Sequence, residues 1–195
     1  GTVRDWQPQA TLDQSFVVAH PLDKVWALFA DTAAVASCLP GATLTGDAGA
    51  RNVSGKMRVK VGPIAAEFHG TARVDRDPAT YSGNIEGCGR DRLSRSMTHG
   101  AIRFYLVSQG ERATKVELMV GYRIIGPLAQ FSRSDLVRDV ASRIVAAFAQ
   151  NVDAQLSGQM PAARAAELDA GKLFLSVVAV RIRAFLRGLL GRSPQ

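Results

Sequence analysis

The chain has 195 residues, of which 47% are hydrophobic, and carries 24 Lys and Arg against 17 Asp and Glu, a net charge of +7. That length and apolar content suit one domain with a real core plus an appendage, with no repeat or low-complexity tract. The two cysteines, Cys38 and Cys88, make neither a metal-ligand spacing nor a framework of bridges, so they read as reduced and largely buried, in a cytoplasmic protein.

Residues 12–19 alternate loosely and predict a strand; the apolar run Phe16–Ala19 is too short, and lacks the basic flank, to read as a signal peptide. Pro21 then opens a helix over Asp23–Ala30, with Val25, Trp26, Leu28 and Phe29 on a broad apolar face. A second short helix is predicted at Thr32–Cys38. Leu39, Pro40 and Gly41 end it, because proline lacks the donor and glycine allows the reversed turn.

Strands follow. Val53, Met57, Val59 and Val61 alternate with Ser54, Lys56, Arg58 and Lys60, which is the period of a half-buried antiparallel strand. After a turn at Gly62-Pro63, the positions Ile64, Ala66, Phe68, Gly70, Ala72 and Val74 face inward. Further strands are predicted at Tyr81–Cys88 and Ser96–Ser108, separated by a corner carrying Arg90, Arg92 and Arg95. In the last strand Val116, Leu118, Val120, Tyr122 and Ile124 face inward. Five consecutive strands with short turns predict an antiparallel meander.

The period changes at Gly126-Pro127. From Leu128 to Leu156 the pattern is helical, with Val137, Val140, Ala141, Ile144, Phe148 and Val152 on one stripe. A helix that long, about 40 Å at 1.5 Å per residue, needs a large curved sheet to cover it. The inward sheet positions Gly55, Ala66, Gly70, Ala72, Gly83 and Gly87 are small. They leave room for an apolar cavity, or they relieve strain where the sheet bends. Val59, Phe68, Leu118, Val120, Tyr122, Ile144 and Phe148 are the expected cavity wall, with Tyr81, Thr98 and Tyr122 its few polar groups. Cys38, Leu39, Pro40 and Gly41 are the expected rim of its mouth.

Ser157-Gly158 closes the long helix and an Ala-rich linker leads to Gly171. The last 25 residues hold five cations and no acid, so the other 170 residues sum to only +2. Leu175, Val178, Ile182, Phe185 and Leu189 form an apolar stripe flanked by Lys172, Arg181, Arg183, Arg187 and Arg192. This pattern suits an amphipathic helix lying on an anionic membrane, and is too short and too charged to span one. A terminal helix that docks on its own domain or a partner is the alternative. The expected organisation is an extension over 1–10, a ligand-binding domain over 11–158, a linker over 159–171 and a membrane-associating helix over 172–195.

Four segments carry a family resemblance over about residues 12–157. They are FVVAHPLDKVWALF at Phe16–Phe29, Cys-Leu-Pro-Gly at 38–41, the strand pair from Gly55-Lys56-Met57 to Phe68-His69-Gly70, and Gly-Pro-Leu-Ala-Gln-Phe at 126–131. In these the chain resembles the carbon monoxide dehydrogenase G-subunit family of the START-like superfamily. The resemblance implies an α+β helix-grip fold, a curved antiparallel sheet wrapped around a long C-terminal helix. It also implies accessory work without catalysis: binding a quinone or lipid, and serving a molybdenum hydroxylase of the carbon monoxide dehydrogenase type at the inner face of the cell membrane. No covalent cofactor is expected.

The superfamily also holds cyclases and hydrolases, so a START-like enzyme acting on an apolar polycyclic substrate is a second expectation, and an empty-pocket assembly chaperone a third. His20, His69 and His99 have no sequence-local carboxylate and nucleophile, no glycine-rich phosphate loop is present, and no metal site is expected. Arg90, Arg92 and Arg95 lack interleaved aromatics, so a partner-docking loop is expected there and nucleic acid is not.

Overall fold

The computed structural model describes residues 6–61, 64–132 and 135–159. The expected turn at Gly62-Pro63, the linker beyond Gln159 and the whole basic tail, including the residues from Lys172 to Leu189 assigned to the membrane, lie outside the described residues.

Chain order is β1 (Ala10–Val18), α1 (Leu22–Ala30), α2 (Thr32–Cys38), β2 (Ala42–Leu44), β3 (Asn52–Val61), β4 (Ile64–Asp77), β5 (Ser82–Asp91), β6 (Met97–Ser108), β7 (Thr114–Ile125), a 3-10 turn at Pro127–Phe131 and α3 (Asp135–Leu156). The strands form one antiparallel sheet in the order β1-β7-β6-β5-β4-β3-β2. The expected meander is β3 to β7. β1 pairs with β7 at one edge, and β2, which has too few residues to show a period, pairs with β3 at the other. α1 and α2 carry the chain from one edge to the other, and α3 packs against β1, α1 and α2.

Local chemistry fixes the short helices. Asp31 caps α2 by accepting from the Ala33 and Ala34 N–H groups at 2.9 and 3.1 Å. Arg76, on β4, donates to the Phe29 carbonyl at the end of α1 (2.7 Å) and to the Thr32 hydroxyl (2.9 Å), so a cation sits at a helix C-terminus and ties it to the sheet.

α3 is shorter than the helical pattern predicts. Gly126, with φ 96°, and Pro127 open a 3-10 turn, and the Leu128 N–H is taken by the Ser96 hydroxyl at 3.0 Å. The α-helix proper begins at Asp135 and runs 22 residues, about 33 Å.

The packed core gathers at one end. Phe148 and Val152 of α3 are buried against Val25, Leu28 and Phe29 of α1 and against Phe104, Leu106, Val116 and Leu118 of the sheet. Phe148 meets Phe16 and Phe29 edge-on, with ring centroids 5.9 Å apart in both cases. Polar bonds reinforce this clamp: Cys38 Sγ and Ser37 Oγ both donate to Gln155 Oε1 at 3.1 Å, and Asn151 Nδ2 donates to the Cys38 carbonyl at 2.9 Å.

At the opposite end the β5–β6 connection is held by a buried carboxylate. Asp91, 1% exposed, accepts from the N–H groups of Ser94 (2.7 Å) and Glu67 (3.0 Å). Burial alone would raise its pKa, but the hydrogen bonds from Ser94, Glu67 and Leu93 outweigh burial and hold it below the usual value.

This division of the core can be measured. Phe148→Ala should cost about 3–5 kcal/mol in urea unfolding, while Ile144→Ala, one turn earlier on the same stripe, should cost about 1–2 kcal/mol because its side chain has fewer neighbours to lose. Asp91→Asn should cost about 1–3 kcal/mol at pH 7. Because the folded pKa is depressed, that contribution is present above the unfolded value of about 4 and disappears as pH falls through the folded one, so parent and variant curves should converge in acid.

Candidate functional site

The inward stripe of α3 splits in two. Phe148 and Val152 are packed, whereas Val137, Val140, Ala141 and Ile144 roof a cavity of about 280 Å³. Its floor is the concave face of β3, β4, β6 and β7, and its end wall is the 3-10 turn, through Leu128 and Phe131. Thr98 and Tyr122 are its polar lining residues; the rest are apolar.

A second hollow of about 340 Å³ continues across the sheet toward β2, over Gly55, Gly70, Gly87, Gly89 and Gly100. Phe68, Thr98, Val120 and Tyr122 belong to both, so the two are lobes of one concavity. The register explains the second lobe. Gly70 lies opposite Gly55 on one side and Gly89 on the other, and Gly87 lies opposite Ala72 and Gly100. Small residues therefore meet small residues across four strands. A Cβ at Gly70 would overlap the Cys88 carbonyl oxygen, so the glycine both permits the bend and creates the space. Room and strain relief, two alternatives in the sequence, are one feature here, and a large residue cannot be placed at Gly70 to fill it.

Of the expected wall, Val59, Phe68, Val120, Tyr122 and Ile144 are brought together around the cavity. Leu118 and Phe148 are not: they are 9% and 6% exposed and belong to the packed core. Their spacing matches that of the wall residues, and only the aromatic neighbours Phe16, Phe29 and Phe104 distinguish their end of the stripe. Tyr81 also lies away from the cavity, edge-on to Trp26 at 5.6 Å.

Cys38, Leu39, Pro40 and Gly41 line neither lobe. They lie beside the lining segment Ala42–Leu44: Cys38 braces α2 to α3, Leu39 packs on the core, and the Gly41 carbonyl accepts from the Arg58 N–H of β3 at 2.9 Å. Gly41 has φ 80° and comes so close to the Arg58 carbonyl that no other residue fits. Sequence reasoning missed Leu12, the 3-10 residues Leu128 and Phe131, and the α3 residue Leu136. Leu128 and Leu136 fall within the predicted helical stretch but were not placed on its apolar stripe, and nothing local marked the 3-10 turn as the end of a cavity.

Burial raises the Tyr122 pKa, partly offset by the charge of Arg138, and its hydroxyl donates to the Ser132 carbonyl at 2.7 Å. The Thr98 hydroxyl has no hydrogen-bond partner among the described residues, so it can donate to a ligand oxygen. Burial also raises the Cys38 thiol, countered only in part by Ser37, which makes it a poor nucleophile. His20, Asp153 and Ser157 do assemble in space, but Asp153 Oδ1 (3.4 Å) and Ser157 Oγ (3.2 Å) both approach His20 Nε2. A relay needs the carboxylate on the other ring nitrogen, and the group lies at the clamped end of α3. Among the described residues no three His, Cys, Asp or Glu side chains stand together as metal ligands, and no helix is long and apolar enough to cross a membrane.

A family model for the carbon monoxide dehydrogenase G-subunit (CoxG) matches residues 15–157. Comparison with curated proteins gives no match. Among solved structures, a conserved protein from Geobacillus kaustophilus superposes with a TM-score of 0.68 at 12% identity, covering 76% of this chain and 96% of that one. The ZhuI aromatase/cyclase from Streptomyces sp. R1128 gives 0.56 at 14%, covering 76% and 93%. A START superfamily protein from Mycobacterium smegmatis gives 0.55 at 13%, covering 76% and 97%. At these identities the likeness establishes a START-like helix-grip fold.

The cavity assignment carries a test. Ala141→Trp should fill the smaller lobe from the helix side. It should lower the affinity for an apolar fluorescent probe at least about tenfold, the effect of losing about 1.4 kcal/mol, with little change in the unfolding midpoint. Unchanged probe affinity would place the ligand elsewhere.

Proposed function

The chain belongs to the carbon monoxide dehydrogenase G-subunit (CoxG) family, and from that premise we propose that it is a non-enzymatic carrier. Its concavity takes up a quinone or lipid, and its basic tail keeps the body at an anionic membrane, where it serves a molybdenum hydroxylase of the carbon monoxide dehydrogenase type. The observation that carries this reading is the two-lobed concavity, apolar in its roof and walls, with Thr98 and Tyr122 where its lobes meet. A quinone has a flat head with carbonyl oxygens and an apolar tail. The Thr98 hydroxyl would donate to a head carbonyl, and the small-residue floor would lie against the flat ring.

The family assignment supports the accessory role and the hydroxylase partner. The lack of an assembled relay near the cavity, among the described residues, supports carriage over cyclisation. The charge pattern of residues 172–195 supports the membrane, each cation near an anionic surface contributing roughly 1 kcal/mol and each buried apolar side chain a similar amount.

Native mass spectrometry of the purified full chain should show a co-purifying apolar molecule with the mass of a quinone or a lipid; a chain that is always empty would favour the assembly chaperone. Deleting residues 172–195, all beyond the described fold, should weaken sedimentation with phosphatidylglycerol vesicles at least about tenfold in lipid concentration while leaving probe binding intact. Equal sedimentation of the two forms would remove the tail as anchor.

A further inference from the structure

The β5–β6 connection, residues 92–96, lies at the end of the sheet that holds the cavity. It reaches the 3-10 turn through the Ser96 hydroxyl, which accepts from the Leu128 N–H at 3.0 Å, and Leu128 is itself a cavity residue. The connection is a built structure. The buried Asp91 carboxylate binds the Ser94 N–H, the Ser94 hydroxyl accepts from the Ser96 N–H at 3.2 Å, and the Asp91 N–H donates to the Ser96 carbonyl at 2.9 Å. Arg95 takes φ 58° to close the turn. What this frame presents is Leu93, 89% exposed, between the exposed side chains of Arg92 and Arg95.

The same end is basic beyond the loop. On the outer face Lys56, His69, Arg90, Met97 and Ile125 follow one another across β3 to β7, and Ile125 is 45% exposed. Arg58 and Lys60 lie further along β3. Along the loop and the outer face of β3 to β5 the Lys and Arg side chains outnumber the two carboxylates there, Glu67 and the buried Asp91.

We propose that this end is a second membrane-docking site: Leu93 enters the headgroup boundary of an anionic bilayer, Arg90, Arg92 and Arg95 pair with lipid phosphates, and the cavity is thereby turned toward the lipid. A single exposed leucine is ordinary. One at the tip of a rigid basic hairpin, beside an apolar cavity, has the chemistry of an interfacial anchor, with an apolar group at the acyl boundary and long cations at headgroup level. An acidic protein partner fits less well, because Leu93 and Ile125 make too small an apolar centre for an interface burying about 800 Å² per partner. The inference rests on the carrier reading, in which the ligand is exchanged with a bilayer, but not on the tail.

The test uses the full chain carrying Leu93→Trp, a substitution at an exposed site, with vesicles whose acyl chains are brominated. The emission added by the substitution should be quenched and blue-shifted on phosphatidylglycerol vesicles, unchanged on pure phosphatidylcholine, and recovered in high salt. Adding Arg92→Glu and Arg95→Glu should weaken that quenching at least about tenfold in lipid concentration, since each cation at the surface is worth about fivefold. Sedimentation with vesicles but no quenching would overturn the loop proposal and leave the tail anchor standing. Quenching that survives deletion of residues 172–195 would support the loop by itself, whereas quenching without any sedimentation of the parent would mean that the tryptophan itself made the contact and would overturn the proposal. Loss of hydroxylase binding in the arginine variants, with no quenching in the parent, would overturn the membrane site in favour of a protein dock.

Discussion

The contact of Phe148 with Phe16 and Phe29 is the point on which the rest of this structure depends. It fixes α3 against β1 and α1 through its C-terminal half. A helix held at one end over a sheet that curves away need not touch that sheet along its other half. The clamp therefore permits the hollow, and the bonds from Ser37, Cys38 and Asn151 hold it where solvent is near. Packed core and cavity are divided along a single helix, which explains how a protein of this size keeps a concavity without losing its core.

The concavity depends in turn on a steric condition in the sheet. Adjacent strands approach so closely at Gly55, Gly70 and Gly87 that a side chain at any of these positions would press on backbone carbonyls of the neighbouring strand. Removing side chains for the sake of the bend removes them from the floor. The resulting surface is apolar and poor in hydrogen-bonding groups. The ionisable groups lie at the brace, at the clamp and where the two lobes meet. Cys38 is buried at the brace, His20 with Asp153 and Ser157 lies at the clamp, and Tyr122 keeps its proton for the Ser132 carbonyl.

Electrostatic asymmetry adds direction to this arrangement. Asp91, although buried, is stabilised in its charged form by backbone donors, and in that form it holds a loop whose own exposed charges are all positive. Glu67 shares the outer face with Arg58, His69 and Lys56, and the Arg58 hydrogen bond chiefly holds its carboxyl below the ordinary range. The surplus of cations at the cavity end is thus a property of how β3, β4 and β5 are aligned. Residues far apart in sequence become one surface only through the strand register.

The periodicity of residues 53–124 and of the α3 stripe by itself determined the meander, the inward faces and the grip, because alternation and helical spacing record which side chains leave water. It also marked Val59, Phe68, Val120, Tyr122 and Ile144 as inward. Periodicity reports burial but not what lies opposite. It could not separate Ile144, which faces a hollow, from Phe148, which packs among phenylalanines, nor Leu118 from Val120 two residues on. The turn at Cys38 to Gly41 is legible because its chemistry is local, while the bonds from Cys38 to Gln155 and Asn151 are not. The net +2 of the first 170 residues likewise concealed the gathering of Lys56, Arg58, Arg90, Arg92 and Arg95 on one part of the surface. Those distinctions are set by long-range pairing, which only the tertiary structure decided.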